Sequence, residues 1–383
     1  MREYSLCPTI RKGVLFHMNY DFVREIASHF ELDGAPVSIG ELTAGHINSS
    51  FLLTMGTKPD APIYVLQRIN TFVFKDPVAV MENIGRVTVH IRNSYIAEGI
   101  DPDRRVLRFV PTTAGSLLYT DKDGGAWRLY RHIGGSTAYN SIESAALFRE
   151  AGHGFGDFQA RLSDFPADVL AETIPHFHNT PLRYETFLRS VETDAMGRAA
   201  GVHDEIEFLR GCRDFTSAIT SRLGKDLPLR VTHNDTKINN VLIDDTTGKA
   251  ICVIDLDTVM PGSSLYDYGD AIRSGACTAA EDEPDTDKVG FDMDLFKAFT
   301  EGFVASTAGG LTPTEIRLLP IGALMLTLET ALRFLTDYLN GDAYFKTRYP
   351  EHNLVRARTQ IKLYREMQAC LDEMNAYVAK LVP

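Results

Sequence analysis

The segment from His233 to Asp257, HNDTKINNVLIDDTTGKAICVIDLD, constrains the fold of this chain more than any other. Two runs rich in Val, Ile and Leu flank a polar stretch that contains Gly248, and this pattern predicts two strands joined by a turn. A hairpin centred between Thr247 and Gly248 would place Asn240 opposite Asp255, with Cβ atoms about 5 Å apart. We therefore expect a β-hairpin whose open end carries an amide beside a carboxylate.

Three oxygen-bearing side chains of this segment predict its chemistry. Asp235 lies in a His-x-Asp motif, and Asn240 and Asp255 follow it. A carboxylate base beside two oxygen ligands for a hard cation is the set of groups that phosphoryl transfer needs. We expect Asp235 to take or orient the proton of an attacking hydroxyl, and Asn240 and Asp255 to bind Mg²⁺. Taken alone, the His-x-Asp motif also fits an aspartate that caps the loop beside a structural histidine. Asp257 either binds a second ion or orients its neighbours.

Composition narrows the class of protein. The chain has 383 residues and a net charge of −12, which argues against binding to nucleic acid or to an anionic membrane. Five cysteines are scattered without a Cys-x-x-Cys pair, a pattern that favours free thiols in a reducing compartment. The first residues show no apolar core long enough for a secretion signal, and no uncharged apolar run of about 18 residues occurs, so we expect neither a secretion signal nor a membrane span. A cytoplasmic enzyme fits these features.

The order of sequence patterns predicts two domains. Residues 1–134 contain strand-like runs and one conspicuous helix, which should start at Asp76-Pro77 and continue to Gly99 with helical spacing of apolar residues. The expected strands are PVSIGEL (36–42), SFLLTM (50–55), IYVLQRI (63–69) and AWRLYRHI (126–133). From residue 141 the pattern is mainly helical, and the apolar segment 314–340 predicts a buried helix. We predict domains at 1–134 and 135–383, joined at Gly134-Gly135-Ser136.

The segment resembles the catalytic region of the aminoglycoside phosphotransferase and choline kinase superfamily, whose pattern is His-x-Asp-x4-Asn followed by Ile-Asp-x-Asp/Glu. Within that superfamily the chain is most similar to the N-acetylhexosamine 1-kinase group, over nearly its whole length. The similar stretches are AGHINSSF (44–51), YVLQRIN (64–70), ETIPHFHNT (172–180), HNDTKINN (233–240), IDLDTVMPGSSLYDYGDAIR (254–273) and LETALRFLTDYLNGDAYF (328–345).

The resemblance implies an α+β, protein-kinase-like two-lobed fold, with a small β-rich N-terminal lobe for the nucleotide and a larger, mainly helical C-terminal lobe for the acceptor. It implies an ATP- and Mg²⁺-dependent kinase that phosphorylates the anomeric hydroxyl of an N-acetylhexosamine. Choline, homoserine, fructosamine and aminoglycosides are alternative acceptors, and a catalytically silent nucleotide-binding protein is a further alternative. We expect a monomer or a small homo-oligomer.

The nucleotide side of the site has one departure from the family pattern. Gln67 stands where the family has a phosphate-pairing Lys. The adjacent Arg68 should point to the other face of its strand, unless a bulge or a shifted register lets it serve instead. The resemblance places the phosphates under the AGHINSSF turn, with Gly45, Asn48 and Ser49 as contacts, although a plain hairpin turn would look the same. It places the adenine against the backbone of RHIGGS, with Arg131, His132 and Ile133 as contacts.

Four residues are candidates for binding the acceptor. Arg333 and Tyr344, together with Asp235 and His178, are the candidates that the resemblance supports. A buried Arg needs a partner, so Arg333 either pairs with a structural carboxylate, Asp267 or Asp270, or binds the sugar hydroxyls. His178 either lines the acceptor pocket or is a structural histidine. Arg333 disfavours cationic acceptors, which require carboxylates or aromatic faces.

Overall fold

The computed structural model of the protein describes residues 20–42, 48–58 and 60–382. The chain divides into two compact units, one made of Met1–Asn70 and Phe109–His132, the other of Thr71–Arg108 and Ile133–Pro383. The end of the first unit at His132 lies near the domain boundary predicted at residue 134. The units differ from the predicted domains because residues 71–108 group with the second unit.

The described residues contain both strands and helices in quantity. The strands are β1 (Ser38–Leu42), β2 (Ser49–Thr54), β3 (Ile63–Ile69), β4 (Phe109–Val110), β5 (Tyr119–Thr120), β6 (Ala126–Arg131), β7 (Ser136–Ala138), β8 (Arg230–Thr232), β9 (Val241–Asp244), β10 (Ala250–Val253) and β11 (Met260–Gly262). The helices are α1 (Tyr20–Ala27), α2 (Pro77–Ala97), α3 (Ala145–Arg161), α4 (Thr180–Thr193), α5 (His203–Gly211), α6 (Ser264–Gly275), α7 (Met293–Ser306), α8 (Pro313–Leu339), α9 (His352–Ala369) and α10 (Leu371–Val378). The predicted α+β class, β-rich at the N-terminal end and helical at the C-terminal end, is confirmed.

The first unit is built on an antiparallel sheet. Its strands are ordered β1-β2-β3-β6-β4, and β5 also pairs with β6. Alternate apolar side chains of β2, β3 and β6 pack against α1, as period-two strands with one buried face should. This core comprises Val23, Ile26, Ala27, Phe30, Phe51, Leu53, Leu66, Trp127 and Leu129. The Trp127 Nε1–H donates to Asp121 Oδ2 at 2.7 Å, which satisfies the polar edge of a fully buried ring.

Helix α2 begins where the sequence predicts. Asp76 Oδ1 accepts hydrogen bonds from the backbone N–H groups of Val78 and Ala79, at 3.1 and 3.0 Å, and Pro77 is the first helical residue. The apolar stripe Val80, Ile84, Val87 and Ile91 is buried. The N-cap and the helical spacing together explain why this segment is a helix within an otherwise strand-rich stretch.

Helix α8 is the core helix of the second unit. It starts with a capping box, in which Thr312 and Glu315 bond each other's backbone N–H groups. Among the described residues, it is the one helix long and apolar enough to cross a membrane by length and composition, but 83% of its most apolar window is buried inside the protein. The predicted buried helix at 314–340 is therefore confirmed.

The hairpin is present, but the predicted register is wrong. Val253 pairs with Val241, and the Ile254 N–H donates to the Asn240 carbonyl at 2.9 Å, so Asn240 lies opposite Ile254 rather than Asp255. The turn closes one residue earlier than predicted, with the Asp244 N–H donating to Lys249 O at 2.8 Å. An irregularity between Ala250 and Cys252 then shifts the pairing by one residue. Asp255 follows the strand in a left-handed conformation, φ 59°.

The crossing of α6 and α8 depends on two glycines. A Cβ on Gly269 would lie 2.3 Å from the carbonyl oxygen of Gly322, and a Cβ on Gly322 would lie 2.7 Å from the carbonyl oxygen of Leu265. Both contacts are with backbone, which cannot move aside as the end of a side chain can. The glycines therefore allow these two helices to approach more closely than larger residues would.

We expect Gly269→Ala to destabilise the protein by about 1–3 kcal/mol, because the added methyl group forces α6 away from α8. The midpoint of denaturant unfolding, followed by circular dichroism, measures this. Gly211→Ala is the matched control, since a Cβ there meets nothing within 4 Å at the exposed end of α5. An unchanged midpoint for Gly269→Ala would show that α6 and α8 are not held at this distance.

Candidate active site

The His233–Asn240 loop is held by a buried carboxylate of α6. Asp267 Oδ2 accepts hydrogen bonds from the His233 N–H at 2.9 Å and the Gln159 Nε2 at 2.8 Å, and its Oδ1 accepts from the Asn234 N–H at 2.7 Å. Burial raises the pKa of Asp267, while these bonds favour its carboxylate form. Asn234 has a left-handed φ of 66°, so the loop turns sharply at the point that Asp267 supports.

A second carboxylate of α6, that of Asp270, holds Thr236 of the same loop. Asp270 Oδ2 accepts the Thr236 N–H at 3.0 Å, and its Oδ1 accepts from Arg273 Nη2 at 2.7 Å. Burial raises the pKa of a carboxyl, but the charges of Arg273 and Lys237 hold the pKa of Asp270 below its usual range. Asp267 and Asp270 are therefore both used locally, so the structure does not support the alternative in which one of them pairs with Arg333.

Asp235, the expected base, lies beside a lysine that the sequence analysis missed. Lys237 Nζ is 2.7 Å from Asp235 Oδ1, and the Asp235 side chain is 25% exposed. The charge of Asp235 raises the pKa of Lys237, so the lysine carries a positive charge at neutral pH. The signal was available in the sequence, because two residues separated by the inward-facing Thr236 project to the same side of an extended loop.

His233 orients the loop, as its burial indicates. Its Nε2 bonds the Ile254 carbonyl at 2.8 Å, and its Nδ1 accepts the Asp235 N–H at 3.3 Å. The ring makes edge contacts with Phe155 and Phe158, with centroids 5.7 and 5.9 Å away. The imidazole thus links the loop to the end of β10 and is not free to contact an acceptor.

The expected metal ligands lie at the open end of the hairpin, where Asn240 precedes β9 and Asp255 and Asp257 follow β10. The Asn240 amide nitrogen donates to Asp235 O at 2.7 Å and to Asp235 Oδ2 at 3.1 Å, which leaves the amide oxygen as its ligand atom. The hairpin brings exposed Asp255 one residue beyond the partner of Asn240, while Asp257 is buried. In the described part of the chain, no three His, Cys, Asp or Glu side chains are grouped so that they could hold a metal ion. An amide plus a carboxylate fits Mg²⁺, which keeps most of its waters.

On the first unit, Gln67 is fixed by its neighbours. Its Nε2 donates to Ser50 Oγ at 2.9 Å, and its Oε1 accepts from Arg128 Nε at 3.0 Å. Arg128 is directly opposite Gln67 on β6 and was not predicted. Arg68 faces the other way, with its guanidinium 5.8 Å from the Trp127 ring centroid, so no bulge brings it to the face that carries Gln67.

The other nucleotide-side residues take part in local hydrogen bonds. Asn48 Oδ1 accepts the Asn70 N–H at 2.9 Å, and Ser49 is exposed at the start of β2. The His132 N–H donates to Ile63 O, and the Ile133 carbonyl accepts from Ser136 Oγ at 2.8 Å. The side chain of Arg131 is exposed, and burial lowers the pKa of His132. Gly45 lies outside the described residues, so the turn that contains it stays a prediction, as do the nucleotide contacts.

Arg333 and Tyr344, two of the residues predicted to bind the acceptor, lie close together in the second unit. The Arg333 guanidinium is 5.1, 5.8 and 5.4 Å from the ring centroids of Phe177, Tyr344 and Phe345. Buried Asp337 positions these last two residues, because its carboxylate accepts the N–H groups of Tyr344 at 2.8 Å and Phe345 at 2.9 Å. The Arg333 side chain therefore packs among aromatic rings instead of pairing with Asp267 or Asp270.

His178 is buried and bonds a carboxylate of α8. Its Nδ1 is 2.8 Å from Glu329 Oε1, and it lines a cleft of about 230 Å³ within the second unit. Asn234, the residue before Asp235, lines the same cleft. This volume is below the roughly 300 Å³ at which most ligand pockets begin, which suits a small acceptor.

Comparison with protein families decides the coarse activity. The model of the phosphotransferase enzyme family matches residues 40–292, which include the first unit's sheet, the His233–Asn240 loop and α6. The chain belongs to this family. It is thus a small-molecule kinase of the aminoglycoside phosphotransferase and choline kinase superfamily. The match ends before α8, so the helix that carries Glu329 and Arg333 lies beyond the shared region.

Solved structures agree on the fold. A microcompartment-associated aminopropanol kinase matches with a TM-score of 0.58 and 15% identity, over 93% of this chain and 99% of that one. A choline/ethanolamine kinase family protein from Mesorhizobium loti matches with a TM-score of 0.54 and 16% identity, over 94% and 99%. A spectinomycin phosphotransferase, solved with ADP and spectinomycin, matches with a TM-score of 0.53 and 12% identity, over 94% and 97%.

We expect Asp267→Asn to loosen the His233–Asn240 loop and to lower the free energy of unfolding by about 1–3 kcal/mol, because one amide nitrogen would face a backbone donor. Hydrogen exchange of the His233 and Asn234 amides should accelerate relative to wild type. Asp164→Asn is the control, since Asp164 pairs with His90 on the surface with a side chain that is 79% exposed. Unchanged exchange at both amides would refute the anchoring role of Asp267.

Proposed function

We propose that the protein transfers the γ-phosphoryl group of ATP to the anomeric hydroxyl of an N-acetylhexosamine. The placement of Arg333 carries this choice of acceptor. Quaternary ammonium groups are bound by aromatic faces, and the Phe177, Tyr344 and Phe345 rings already surround a guanidinium. A cationic acceptor would meet like charge there, whereas sugar hydroxyls accept hydrogen bonds from guanidinium N–H groups.

The His233–Asn240 loop would perform the proton transfer. Asp235 Oδ1 and Oδ2 are held by Lys237 and Asn240, so the carboxylate is oriented before an acceptor hydroxyl arrives. In the proposed step Asp235 takes or orients the hydroxyl proton as the oxygen attacks the γ-phosphorus. Lys237 would place a positive charge beside the phosphoryl group during its transfer and so stabilise the negative charge of that group.

Asn240 and Asp255 would hold Mg²⁺, with Asp257 supporting them from a buried position. When bound, the ion would neutralise the negative charge of the nucleotide phosphates. Family membership and the ADP in the spectinomycin phosphotransferase structure support ATP as the co-substrate. We assign the phosphate-pairing role to Gln67 supported by Arg128. Asn48, Ser49 and Gly45 would contact the phosphates, and the backbone of residues 131–133 would contact the adenine.

The rival acceptors are amines. Aminopropanol, choline or ethanolamine and spectinomycin appear in the names of the structurally similar proteins. We rank them below a sugar because Arg333 and Arg183 bring two positive charges to the neighbourhood of Glu329. We also assign the nucleotide to domain 1–134 and the acceptor to domain 135–383, and place the enzyme in the cytoplasm, where its four described cysteines would stay free thiols.

An ADP-release assay with a panel of acceptors tests the substrate class. We expect turnover with N-acetylglucosamine or N-acetylgalactosamine, and none with choline, ethanolamine or spectinomycin, because Arg333 repels cations. Chelation of Mg²⁺ with EDTA should abolish the activity.

The methyl glycoside of the active sugar is the matched control, since it differs only in a blocked anomeric hydroxyl and should give no ADP release. Phosphorus NMR of the product identifies the phosphorylated position. Turnover of the amines alone would refute the sugar assignment, and turnover of the methyl glycoside would refute the anomeric one.

Asp235→Asn should reduce kcat about 10²–10⁴-fold, the usual contribution of a general base, because the amide cannot take a proton. ATP affinity, measured by calorimetry, should stay close to wild type. Asp245→Asn, in the exposed turn between β9 and β10, is the control and should retain full activity. A variant Asp235→Asn with a near-normal rate would show that another group is the base.

A further inference from the structure

The ring of His178 has one satisfied nitrogen and one that lacks a partner. Nδ1 is 2.8 Å from Glu329 Oε1, whereas Nε2 is buried without a hydrogen-bond partner among the described residues. The side chain of His178 is 6% exposed, so bulk water does not satisfy Nε2. A buried polar atom of this kind is destabilising unless something bonds it, which makes Nε2 a candidate contact for a ligand.

Glu329 determines which nitrogen of His178 carries the proton. Its Oε2 accepts from Thr180 Oγ1 at 2.6 Å, and its Oε1 faces His178 Nδ1. Burial raises the pKa of a carboxyl, but the adjacent His178, the charge of Arg333 and the hydrogen bond from Thr180 hold the pKa of Glu329 below its usual range. An ionised carboxylate only accepts hydrogen bonds, so the proton must lie on Nδ1.

Two arginine side chains bring positive charge close to Glu329. Arg333 follows Glu329 by one helical turn, and Arg183 is also within electrostatic reach. Burial and the nearby Arg333 lower the pKa of Arg183, which shows that positive charge is already crowded there. A third cation on His178 would add a buried charge and a buried unpaired N–H. In a neutral ring that carries its proton on Nδ1, Nε2 presents a lone pair.

The ring is also held in orientation. Its centroid is 4.8 Å from that of Tyr266, at an interplanar angle of 34°, and 4.5 Å from that of Phe177. His178 and Tyr266 line the cleft of about 230 Å³ that also includes Asn234, next to the expected base. The lone pair is therefore fixed in direction by packing and by Glu329 before any ligand binds.

We propose that His178 Nε2 accepts a hydrogen bond from a hydroxyl of the acceptor other than the reacting one, and that Glu329 and Thr180 are positioning residues that set the required tautomer. This inference rests on the proposed sugar kinase function and adds a directional requirement to it. The acceptor must offer an O–H donor at this point. A group of similar size that cannot donate, such as fluorine, would be bound less well.

A fluorine scan of the acceptor tests the contact. Each non-anomeric hydroxyl of the active N-acetylhexosamine is replaced in turn by fluorine, and kcat and KM are measured for every analogue. In wild type we expect one analogue to lose about tenfold in kcat/KM, the usual size of a single hydrogen bond. His178→Phe should raise KM for the parent sugar by about tenfold with little change in kcat, and should remove the penalty at that one position.

His90→Phe is the matched control, because His90 also pairs with a carboxylate, Asp164, at 2.9 Å but on the surface. It should leave both KM and the fluorine profile unchanged. A His178→Phe enzyme with wild-type KM, or one that keeps the full penalty at the same position, would overturn the proposal.

Nitrogen-15 NMR of histidine-labelled protein provides a readout that does not need turnover or a folded His178→Phe variant. Wild type should show the neutral Nδ1–H tautomer for His178, with an Nε2 resonance that moves when the sugar is added. An Nε2–H tautomer, an imidazolium, or no change on addition of an accepted substrate would refute the inference. If no sugar supports ADP release but the tautomer is as expected, the proposed function fails and the tautomer assignment stands.

Discussion

The hydrogen bonds that backbone N–H groups of the His233–Asn240 loop donate to Asp267 and Asp270 are the interactions on which the site depends. A loop with a left-handed residue at Asn234 would not keep this shape without support, because its N–H groups would be buried and unpaired. With both carboxylates occupied by the loop backbone, Asp235 pairs with Lys237 instead. Buried carboxylates of α6 therefore determine where the base can be.

Helix α6 in turn depends on its contact with α8. Gly269 and Gly322 let the two backbones approach, so the carboxylates that hold the loop and the residues proposed to bind the acceptor are carried by packed neighbours. Helix α8 contributes Glu329 and Arg333, and Asp337 near its end holds Tyr344. Loop support and acceptor recognition thus share one helix pair, and a change in that packing would affect both.

Sequence reasoning succeeded for local features and failed where a long-range contact decides. It predicted the start of α2, since the Asp76 cap and Pro77 act within one turn. It predicted a hairpin after Asn240 but not the irregularity near Ile251 that moves the pairing. It left Arg333 with either a structural carboxylate or the acceptor as partner, and the structure removes the first alternative, since Asp267 and Asp270 are occupied by the loop.

The sequence by itself determined the α+β class and the spacing of Asp235 and Asn240, because the amide of Asn240 bonds back to Asp235 within a single loop. The tertiary structure alone decided the surroundings of the acceptor. The contact between His178 and Glu329 joins residues 151 positions apart, and that between Gln67 and Arg128 joins residues 61 apart. Such pairs exist only after helices and strands have packed, so no local pattern of residues encodes them.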